Sequence, residues 1–285
     1  METTAAIKLM SNSPEHSINI EKIHDKERAF HNEWASSASL DEIRIHEAFE
    51  GPVAMENKFI LRQMGPLAGV NLLDIGAGLG ESSVYFALNG AKVTTTDISP
   101  AMVDNAVRLG TKHGVTIEGV VTDAESLHVA SDKYDIVYCA NVLHHVTDRE
   151  LFFRQIQRAL KPGGRFFTID PLAYNPLINV YRKMATQVRT EDEQPLTFRD
   201  LKRARKYFAN VQHREFWITT LLLFVKYYML DRVHPNDDRY WKRIYKETDG
   251  SLRWWTPLRS IDSVLSRIPG IRALAWNIVM YGQKL

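Results

Sequence analysis

Leu72-Leu-Asp-Ile-Gly-Ala-Gly-Leu-Gly80 is the stretch that decides the fold of this chain. An apolar run enters a turn with glycines at positions 76, 78 and 80, and a helix-like segment follows. Asp97 stands at the end of a second apolar run, 91–96. Strand, glycine turn, helix, strand and terminal acid together predict a nucleoside-binding βαβ unit. Glycines let the backbone approach a ligand closely, and the acid can accept hydrogen bonds from both ribose hydroxyls.

The glycine spacing separates two kinds of ligand. A dinucleotide-binding turn has Gly-x-Gly-x-x-Gly and seats a pyrophosphate on the helix N-terminus. Here the pattern is Gly-x-Gly-x-Gly, with Asp74 before it and Glu81 after it. Acids on both sides disfavour a pyrophosphate and favour a cationic ligand, such as a sulfonium or an α-amino group. A strand-to-helix turn that binds nothing is the alternative, and the presence of Asp97 weighs against it.

Five motifs, in order, resemble those of the class I S-adenosylmethionine-dependent methyltransferases. They are residues 74–80, 96–102, 122–124, 141–145 and 160–170. The resemblance covers about residues 68–171 and leaves the rest of the chain matched only in general organisation. It implies an α/β, Rossmann-like fold: a seven-stranded sheet with helices on both faces, an N-terminal helical lid and a helical insertion before the last strand, which is antiparallel.

The alternation of patterns supports the same fold independently. Strands are predicted at 70–75, 91–96, 115–121, 134–140 and 165–169, and the helices between them at 81–89, 100–113 and 148–160, the last one stopped by Pro162-Gly163-Gly164. Alternating units of this length build a parallel sheet covered by helices on both faces. Two more strands are predicted, at 211–217 and 275–283.

We expect five segments along the chain. They are a mobile tail (1–17), the helical lid (18–67), the cofactor-binding core (68–217), a helical cap insertion (218–274) and the final strand (275–285). The insertion is rich in aromatic and basic residues. Residues 217–230 are apolar on all sides of a helix, which predicts burial, and they are too few to span a bilayer. With no secretory signal in 1–17, a cytoplasmic protein is expected.

The resemblance implies S-adenosylmethionine as the cofactor and assigns residues to its parts. Glycines 76 and 78, with Ala77 between them, would lie against its methionine part, and Asp74 would hold its amino group directly or through water. Asp97 would take the ribose hydroxyls, unless it only caps a helix. The remaining assignments are Ile98 and Met102 beside the adenine ring, Asp123 on its amino group, Ala124 behind it, and Asn141 near the methionine end. A turn role is the alternative for Asp123.

Methyl transfer from a sulfonium is an in-line displacement, in which the protein positions the acceptor and excludes water. A base is needed only if the acceptor must first lose a proton. His144 and His145 follow the fourth strand, and either is a candidate general base, with His145 slightly ahead. A position without catalytic role is the alternative for both.

The acceptor and the lid would involve residues outside the five motifs. Phe30, His31 and Trp34 are candidate lid residues, and packing on the core is the alternative for each. Asp170 and Tyr174 lie near the expected acceptor pocket. Arg182 or Arg189 is a candidate for holding an acidic group of the substrate, with ion pairs to acids at 191–193 as the alternative.

The charge distribution and the cysteine content limit which partners and which metal or disulfide sites are expected. Residues 199–285 hold 17 Lys and Arg against 8 Asp and Glu. This basic third suits an anionic lipid surface, an acidic substrate or a nucleic acid, or it is simply a solvated face. Cys139 is the single cysteine, which excludes a disulfide framework and a cysteine metal cluster. No metal site is expected, because no His, Asp or Glu cluster shows ligand spacing.

The leading hypothesis is a methyltransferase acting on a small molecule, including a hydrophobic or lipid-like one, bound under the lid and the insertion. An RNA or protein methyltransferase is the second hypothesis. Nucleic acid is disfavoured, because the chain shows no separate binding module and has Ala-Asn-Val-Leu, not Asn-Pro-Pro-Tyr, at 140–143. A binding module without catalysis is the third. The sequence alone does not specify the acceptor or the oligomeric state.

Overall fold

The structure, a computed structural model, describes residues 14–190, 192–248, 250 and 252–285, with side chains from residue 21 onward. Seven strands form one sheet in the order β3-β2-β1-β4-β5-β7-β6. The strands are β1 Asn71–Ile75, β2 Lys92–Asp97, β3 Ile117–Val121, β4 Tyr134–Ala140, β5 Leu160–Pro171, β6 Ala209–Phe216 and β7 Asn277–Gln283. β7 is antiparallel to β5 and β6, and the other pairs are parallel. The predicted sheet is confirmed.

Helices flank the sheet and cover one end of it. They are α1 Pro14–Ser37, α2 Ile45–Glu50, α3 Met55–Met64, α4 Glu81–Leu88, α5 Pro100–Lys112, α6 Arg149–Ala159, α7 Pro176–Met184, α8 Phe198–Ala204, α9 Leu222–Met229, α10 Tyr240–Arg243 and α11 Trp255–Leu265. Short 3-10 turns occur at Leu40–Glu42, Thr219–Leu221, Ile244–Lys246 and Ile271–Leu274. Most of the predicted tail, residues 1–13, lies outside the described residues, and α1 already begins at Pro14.

The core lies on both faces of the sheet. Leu72 packs with Phe49 and Phe86 in one apolar cluster, whereas its neighbour Leu73 packs with Phe153 in another. Successive residues of a strand point to opposite faces, so parallel strands covered by helices on both sides are apolar throughout. Cys139 belongs to the second cluster and is fully buried, as expected from its apolar surroundings.

One predicted boundary is wrong. Helix α6 ends at Ala159, and β5 begins at Leu160, so the Pro-Gly-Gly segment lies inside a strand and does not stop the helix. Leu160 is extended (φ −70°, ψ 141°), fully buried, and paired with Tyr134 of β4. Because Leu160 is buried and paired in a strand, the helix ends at Ala159, before the Pro-Gly-Gly segment is reached.

The apolar stretch 217–230 also differs from the prediction. Trp217 and Tyr227 are fully buried, but Met229 and Leu230 are 64% and 75% exposed. Helix α9 within this stretch thus packs one face on the aromatic core of the insertion and leaves the other face open. Within the part of the chain that the structure describes, no helix is both long enough and apolar enough to cross a membrane.

Helix α1 lies against the N-terminal end of α5 and is held there by polar contacts. The Asn32 side-chain oxygen accepts a hydrogen bond from the Ser99 hydroxyl at 2.7 Å. The Asn105 amide donates to the backbone oxygen of Ala35 at 2.9 Å. These contacts fix α1 beside the end of β2, where the strand carries Asp97.

Candidate active site

The glycine turn follows β1 in a conformation that only glycine adopts easily. Gly76 and Gly78 have φ angles of 84° and 50°. A Cβ atom on Gly76 would meet the Val142 Cγ2 atom at 2.2 Å. The backbone N–H groups of Gly76 and Ala77 both donate to the Thr96 oxygen, at 2.8 Å each. The turn is thereby tied to the end of β2, and its backbone is left bare for a close approach.

A cavity of about 300 Å³ opens at the carboxyl end of the sheet. Its wall includes the last residues of four strands: Ile75 of β1, Asp97 of β2, Ala140 of β4 and Pro171 of β5. In open α/β sheets, ligands bind in this crevice, where the strand order reverses next to β1. The volume lies at the lower end of the range found for small-molecule sites, roughly 300–1,000 Å³.

Most of the residues predicted to bind the cofactor line this cavity. They are Gly76, Ala77, Gly78, Asp97, Ile98, Asp123, Ala124 and Asn141. Asp74 and Met102 are not part of the wall. Met102 is fully buried against Ala35 and Leu79, because α5 turns its side chain into the contact with α1. The prediction that Met102 flanks the adenine ring at the cavity is therefore wrong.

The Asp97 carboxylate is fixed by two backbone N–H groups. Its Oδ1 atom accepts from Ser99 at 2.9 Å, and its Oδ2 atom accepts from Gly78 at 3.3 Å. Each carboxylate oxygen can accept further hydrogen bonds. The cap of α5 is Ser99, whose hydroxyl accepts from the Met102 N–H. Asp97 is therefore free of the capping role and lines the cavity with acceptor capacity to spare.

Asp123 serves as a turn residue and lines the cavity as well. Its Oδ1 atom accepts from the N–H groups of Glu125 and Ser126, at 2.8 and 2.7 Å. Burial raises the pKa of Asp123, but hydrogen bonds from Ser126 and Glu125 bring it below its ordinary value. The carboxylate stays ionised at neutral pH and accepts hydrogen bonds only.

Asp74 lies one layer behind the cavity. It is fully buried, and its Oδ2 atom accepts hydrogen bonds from the hydroxyls of Ser82 and Ser83, at 2.6 Å each. Burial raises the pKa of Asp74 to about 7. Its Oδ1 atom has no hydrogen-bond partner among the described residues. Ser82 lines the cavity and stands between Asp74 and the cavity space.

His145 lines the cavity and is oriented by an acid from the lid. Its Nδ1 atom lies 3.0 Å from Oε1 of Glu27 on α1, and the Thr190 hydroxyl donates to the same oxygen. Burial raises the pKa of Glu27, but hydrogen bonds from His145, His31 and Thr190 bring it far below its ordinary value. An ionised Glu27 accepts a hydrogen bond from the Nδ1–H group of His145. The Nε2 atom of His145 is then left without a proton and can accept one.

His144 is a weaker candidate base. Its Nδ1 atom contacts Oδ1 of Asp170 at 2.8 Å, and both residues are buried. Burial lowers the pKa of His144 well below its ordinary value and raises that of Asp170 to about 8. Asp170 does not line the cavity, contrary to the prediction that it lies near the acceptor pocket. It positions His144 instead.

Tyr174 is likewise outside the cavity. Its ring stacks on Phe198 with the centroids 5.5 Å apart, and it is 42% exposed. Tyr174 follows β5, where the chain turns toward α7 on the outer surface of the protein. The prediction that this tyrosine contacts the acceptor is therefore wrong in this structure.

The lid residues Phe30, His31 and Trp34 all line the cavity. Trp34 meets Trp241 of the insertion edge to face, with centroids 5.4 Å apart, and the Arg239 guanidinium lies 4.6 Å from the Trp34 ring centroid. The lid and the insertion thus meet over the site. Sequence reasoning missed Glu27, although its spacing of four residues from His31 places both on one helix face.

Arg182 and Arg189 line the cavity on the side of β5. Arg189 forms an ion pair with Glu193. For Arg189 this is the alternative to binding an acidic group of the substrate. Arg182 donates to the Asn179 side-chain oxygen at 2.7 Å and to the Leu172 backbone oxygen at 3.1 Å. The two guanidinium groups therefore differ, because only Arg189 has an acidic partner among the described residues.

Two groups of side chains have metal-ligating character, contrary to the expectation from spacing. They are Glu27, His31 and His145, and His144, His145 and Glu193; within each group the donor atoms lie within 4.8 Å of one another. Each group joins two residues that are near each other in the chain to a third that is distant, so the spacing along the sequence did not reveal them. Hydrogen bonds already join Glu27 to His145 and His144 to Asp170, so the arrangement requires no ion to hold it together.

Comparison with known proteins agrees with this geometry. Residues 73–168 match a family model described as a methyltransferase domain. A ubiquinone biosynthesis O-methyltransferase of Methylobacterium sp. (strain 4-46) is 37% identical over 102 residues, which is 36% of this chain and 41% of that protein. One of Coxiella burnetii (strain Dugway 5J108-111) is 33% identical over 110 residues, 39% of this chain and 47% of that protein. The matched region thus spans less than half of these curated relatives.

The fold comparison extends further along the chain. Phosphoethanolamine N-methyltransferase 2 of Haemonchus contortus superposes with a TM-score of 0.59 at 18% identity, over 90% of this chain and 59% of that one. At this identity the likeness shows the fold alone. Residues 73–168 of the chain are therefore similar in sequence to a methyltransferase domain, and most of the chain shares the fold of a methyltransferase.

Proposed function

We propose that this chain transfers a methyl group from S-adenosylmethionine to a small molecule bound in the cavity. One observation supports this above all: the glycine turn, Asp97 and the Glu27–His145 pair line a single cavity. The first two features fit a nucleoside, and the pair fits an acceptor that must lose a proton. In this proposal residues 18–67 act as the lid, 68–217 as the core with 275–285 as its last strand, and 218–274 as a cap.

The residues present fit the cofactor. A Cβ atom built on Gly78 would meet nothing within 4 Å, so the backbone of the turn is open to a ligand there. Asp97 has lone pairs left for the ribose hydroxyls, and the buried Oδ1 atom of Asp74 lacks a partner near the place expected for an amino group. When bound, the cofactor supplies a methyl group activated by its positive sulfonium. The ionised Asp123 adds negative charge around that cation.

The acceptor half of the cavity is formed by α1, α7 and the insertion. His145 would take the proton of the acceptor through its Nε2 atom, and Glu27 would stabilise the imidazolium that results. Trp34 and Trp241 cover this half and exclude water. Positioning of the acceptor on the far side of the methyl group supplies much of the remaining rate enhancement.

A small acceptor is favoured over RNA or a protein substrate. The lid and the insertion meet above the site through Trp34 and Trp241, which narrows access from solvent. The aromatic and apolar wall around Phe30, Ile178 and Trp276 also suits a small, partly hydrophobic molecule. A module without catalysis is disfavoured, because such a module has no need of an oriented histidine at the cavity wall.

The test is calorimetric binding of S-adenosylmethionine and S-adenosylhomocysteine, followed by transfer of a labelled methyl group to a panel of small acceptors. We expect micromolar binding of both compounds, which corresponds to about −8 kcal/mol, and no saturable binding of NAD. Absence of binding by the intact protein would remove the proposal. Labelled transfer to bulk RNA or to protein, with none to small molecules, would replace it with the macromolecular alternative.

We also propose that α9 makes peripheral contact with anionic lipid. Its outward face carries exposed Leu222, Tyr228, Met229 and Leu230, and Arg232 follows as an exposed cation. Apolar side chains beside basic ones suit a membrane interface. Co-sedimentation with vesicles containing phosphatidylserine should fall at least about tenfold in a Met229→Glu, Leu230→Glu variant. Equal sedimentation of both proteins, or none of the wild type at low salt, would contradict this contact.

A further inference from the structure

We infer that the acceptor carries an anionic group, a carboxylate or a phosphate, and that Arg182 binds it. The inference rests on the proposed function, and it defines the substrate class of the same site. It starts from the charges along the β5 side of the cavity.

Arg182 is a partly buried cation with only neutral partners. Its two hydrogen bonds run to the amide oxygen of Asn179 and to the backbone oxygen of Leu172. Among the side chains that the structure describes, from residue 21 onward, no carboxylate forms a salt bridge with it. The two bonds hold the guanidinium in one orientation without neutralising it. Removing a charge from water without a counter-ion is unfavourable, so this geometry is suited to a ligand that supplies the counter-ion.

The neighbouring charges do not compensate Arg182. Two other cations of the cavity wall, Arg189 and Lys242, already pair with Glu193 and Glu81. Burial raises the pKa of Glu56, which favours its neutral form. Glu27 is engaged by His145 and Thr190. Arg182 therefore keeps no counter-ion of its own among the described side chains where the acceptor would lie.

Burial does not remove the positive charge of Arg182. Burial, aided by repulsion from Arg189, lowers the pKa of Arg182 to about 10, so the group stays protonated at neutral pH. The Tyr181 hydroxyl lines the same wall and makes no hydrogen bond of normal geometry among the described residues. A guanidinium fork and a nearby hydroxyl match the oxygens of a carboxylate or phosphate.

The position of Arg182 assigns the anion to the acceptor and not to the cofactor. Arg182 lies on α7 and contacts Leu172, directly after β5. The glycine turn and Asp97 follow β1 and β2, and β4 separates β1 from β5 in the sheet. The two halves of the cavity are thus on opposite sides of β4.

The experiment titrates inorganic phosphate, and in a second series acetate, into protein saturated with S-adenosylhomocysteine, at constant ionic strength. Binding is followed by calorimetry for the wild type, Arg182→Gln, Arg182→Lys and Arg259→Gln. Arg259 is an exposed arginine of α11 outside the cavity, and it is the matched control. We expect one saturable anion site in the wild type and in Arg259→Gln. The affinity should fall about tenfold or more in Arg182→Gln and less in Arg182→Lys, because lysine keeps the charge but not the fork.

Each outcome decides the inference. Tighter binding of phosphate points to a phosphate ester, and tighter binding of acetate to a carboxylic acid. Equal anion affinity in the wild type and Arg182→Gln overturns the inference, as does a loss of S-adenosylhomocysteine affinity in that variant, which would assign the arginine to the cofactor. If the wild type fails to bind S-adenosylhomocysteine, the proposed function fails, but the phosphate titration of the ligand-free protein still tests the anion site.

Discussion

The Glu27 carboxylate lies 3.0 Å from the Nδ1 atom of His145, although the two residues are 118 positions apart in the chain. The contact joins the lid helix to the segment after β4. A carboxylate on Nδ1 fixes the imidazole tautomer. Under the proposed function, this one interaction would both hold the lid over the site and orient the base.

Replacing His145 tests its role as the base. We expect His145→Gln to lower kcat about a hundredfold or more, because general bases contribute roughly 10²–10⁴. Affinity for S-adenosylhomocysteine should stay within about twofold of the wild type. An unchanged rate would exclude His145 from the mechanism.

Glu27→Gln examines the orienting acid separately. The amide keeps the size of the side chain but cannot stabilise the imidazolium, so we expect kcat to fall about tenfold or more with KM for the acceptor little changed. Glu33→Gln is the matched control, because Glu33 lies on the same helix and is exposed. Equal kcat in the two variants would show that Glu27 only anchors the lid.

Asp97→Asn tests the ribose contact. We expect S-adenosylhomocysteine to bind about ten- to a hundredfold more weakly, because hydrogen bonds to a charged acceptor contribute roughly 1.5–3 kcal/mol. Asp104→Asn, an exposed aspartate of α5, is the control and should leave affinity unchanged. Calorimetry on both variants gives the answer, and wild-type affinity in Asp97→Asn would contradict the assignment.

Gly76→Ala probes the close approach at the turn. The new Cβ would meet Val142 Cγ2 at 2.2 Å, at a residue whose φ is 84°. We expect a loss of stability of about 2 kcal/mol or more and strongly weakened cofactor binding, since the left-handed conformation alone costs roughly 1–2 kcal/mol. Gly114→Ala shares the positive φ (74°) but has free space, so it should show only the smaller loss.

A Val142→Ala second change supplies the rescue. If the collision causes the damage, Gly76→Ala combined with Val142→Ala should recover part of the stability measured by urea denaturation. Failure of any rescue, together with equal losses in Gly76→Ala and Gly114→Ala, would show that backbone strain alone is responsible.

The pH dependence of stability tests the burial of Asp74. Its folded-state pKa of about 7 lies above the unfolded value of roughly 3.9, so the folded state binds more protons between these values. The contribution of Asp74 therefore lowers stability as pH rises from about 4 to about 7. We expect Asp74→Asn to flatten this decline, so that its deficit relative to the wild type is smaller at pH 8 than at pH 5. Parallel urea midpoints at both pH values would contradict this.

Much of the cofactor half could be predicted from the sequence. The motif at 72–80 and Asp97 are local signals, because a strand, a turn and the next strand end bring them together within one βαβ unit. Asp123 follows β3, the next strand along the chain, whose carboxyl end lies at the same edge of the sheet. Met102 was misplaced, since the helix period alone does not say which neighbour covers a face. Asp74 was right in its position along β1 but lies behind the cavity, because its partners Ser82 and Ser83 shield it.

What the sequence by itself determined is the Rossmann-like α/β fold, the alternation of its strands and helices and the glycine turn after β1, since these depend on contacts between neighbouring segments. Only the tertiary structure decided the acceptor half. Glu27 meets His145, Trp34 meets Trp241 and Arg182 faces the cavity without a described acidic partner because α1, α7 and the insertion converge there. Such contacts join residues far apart in the chain, and no local periodicity encodes which distant side chains will share a cavity.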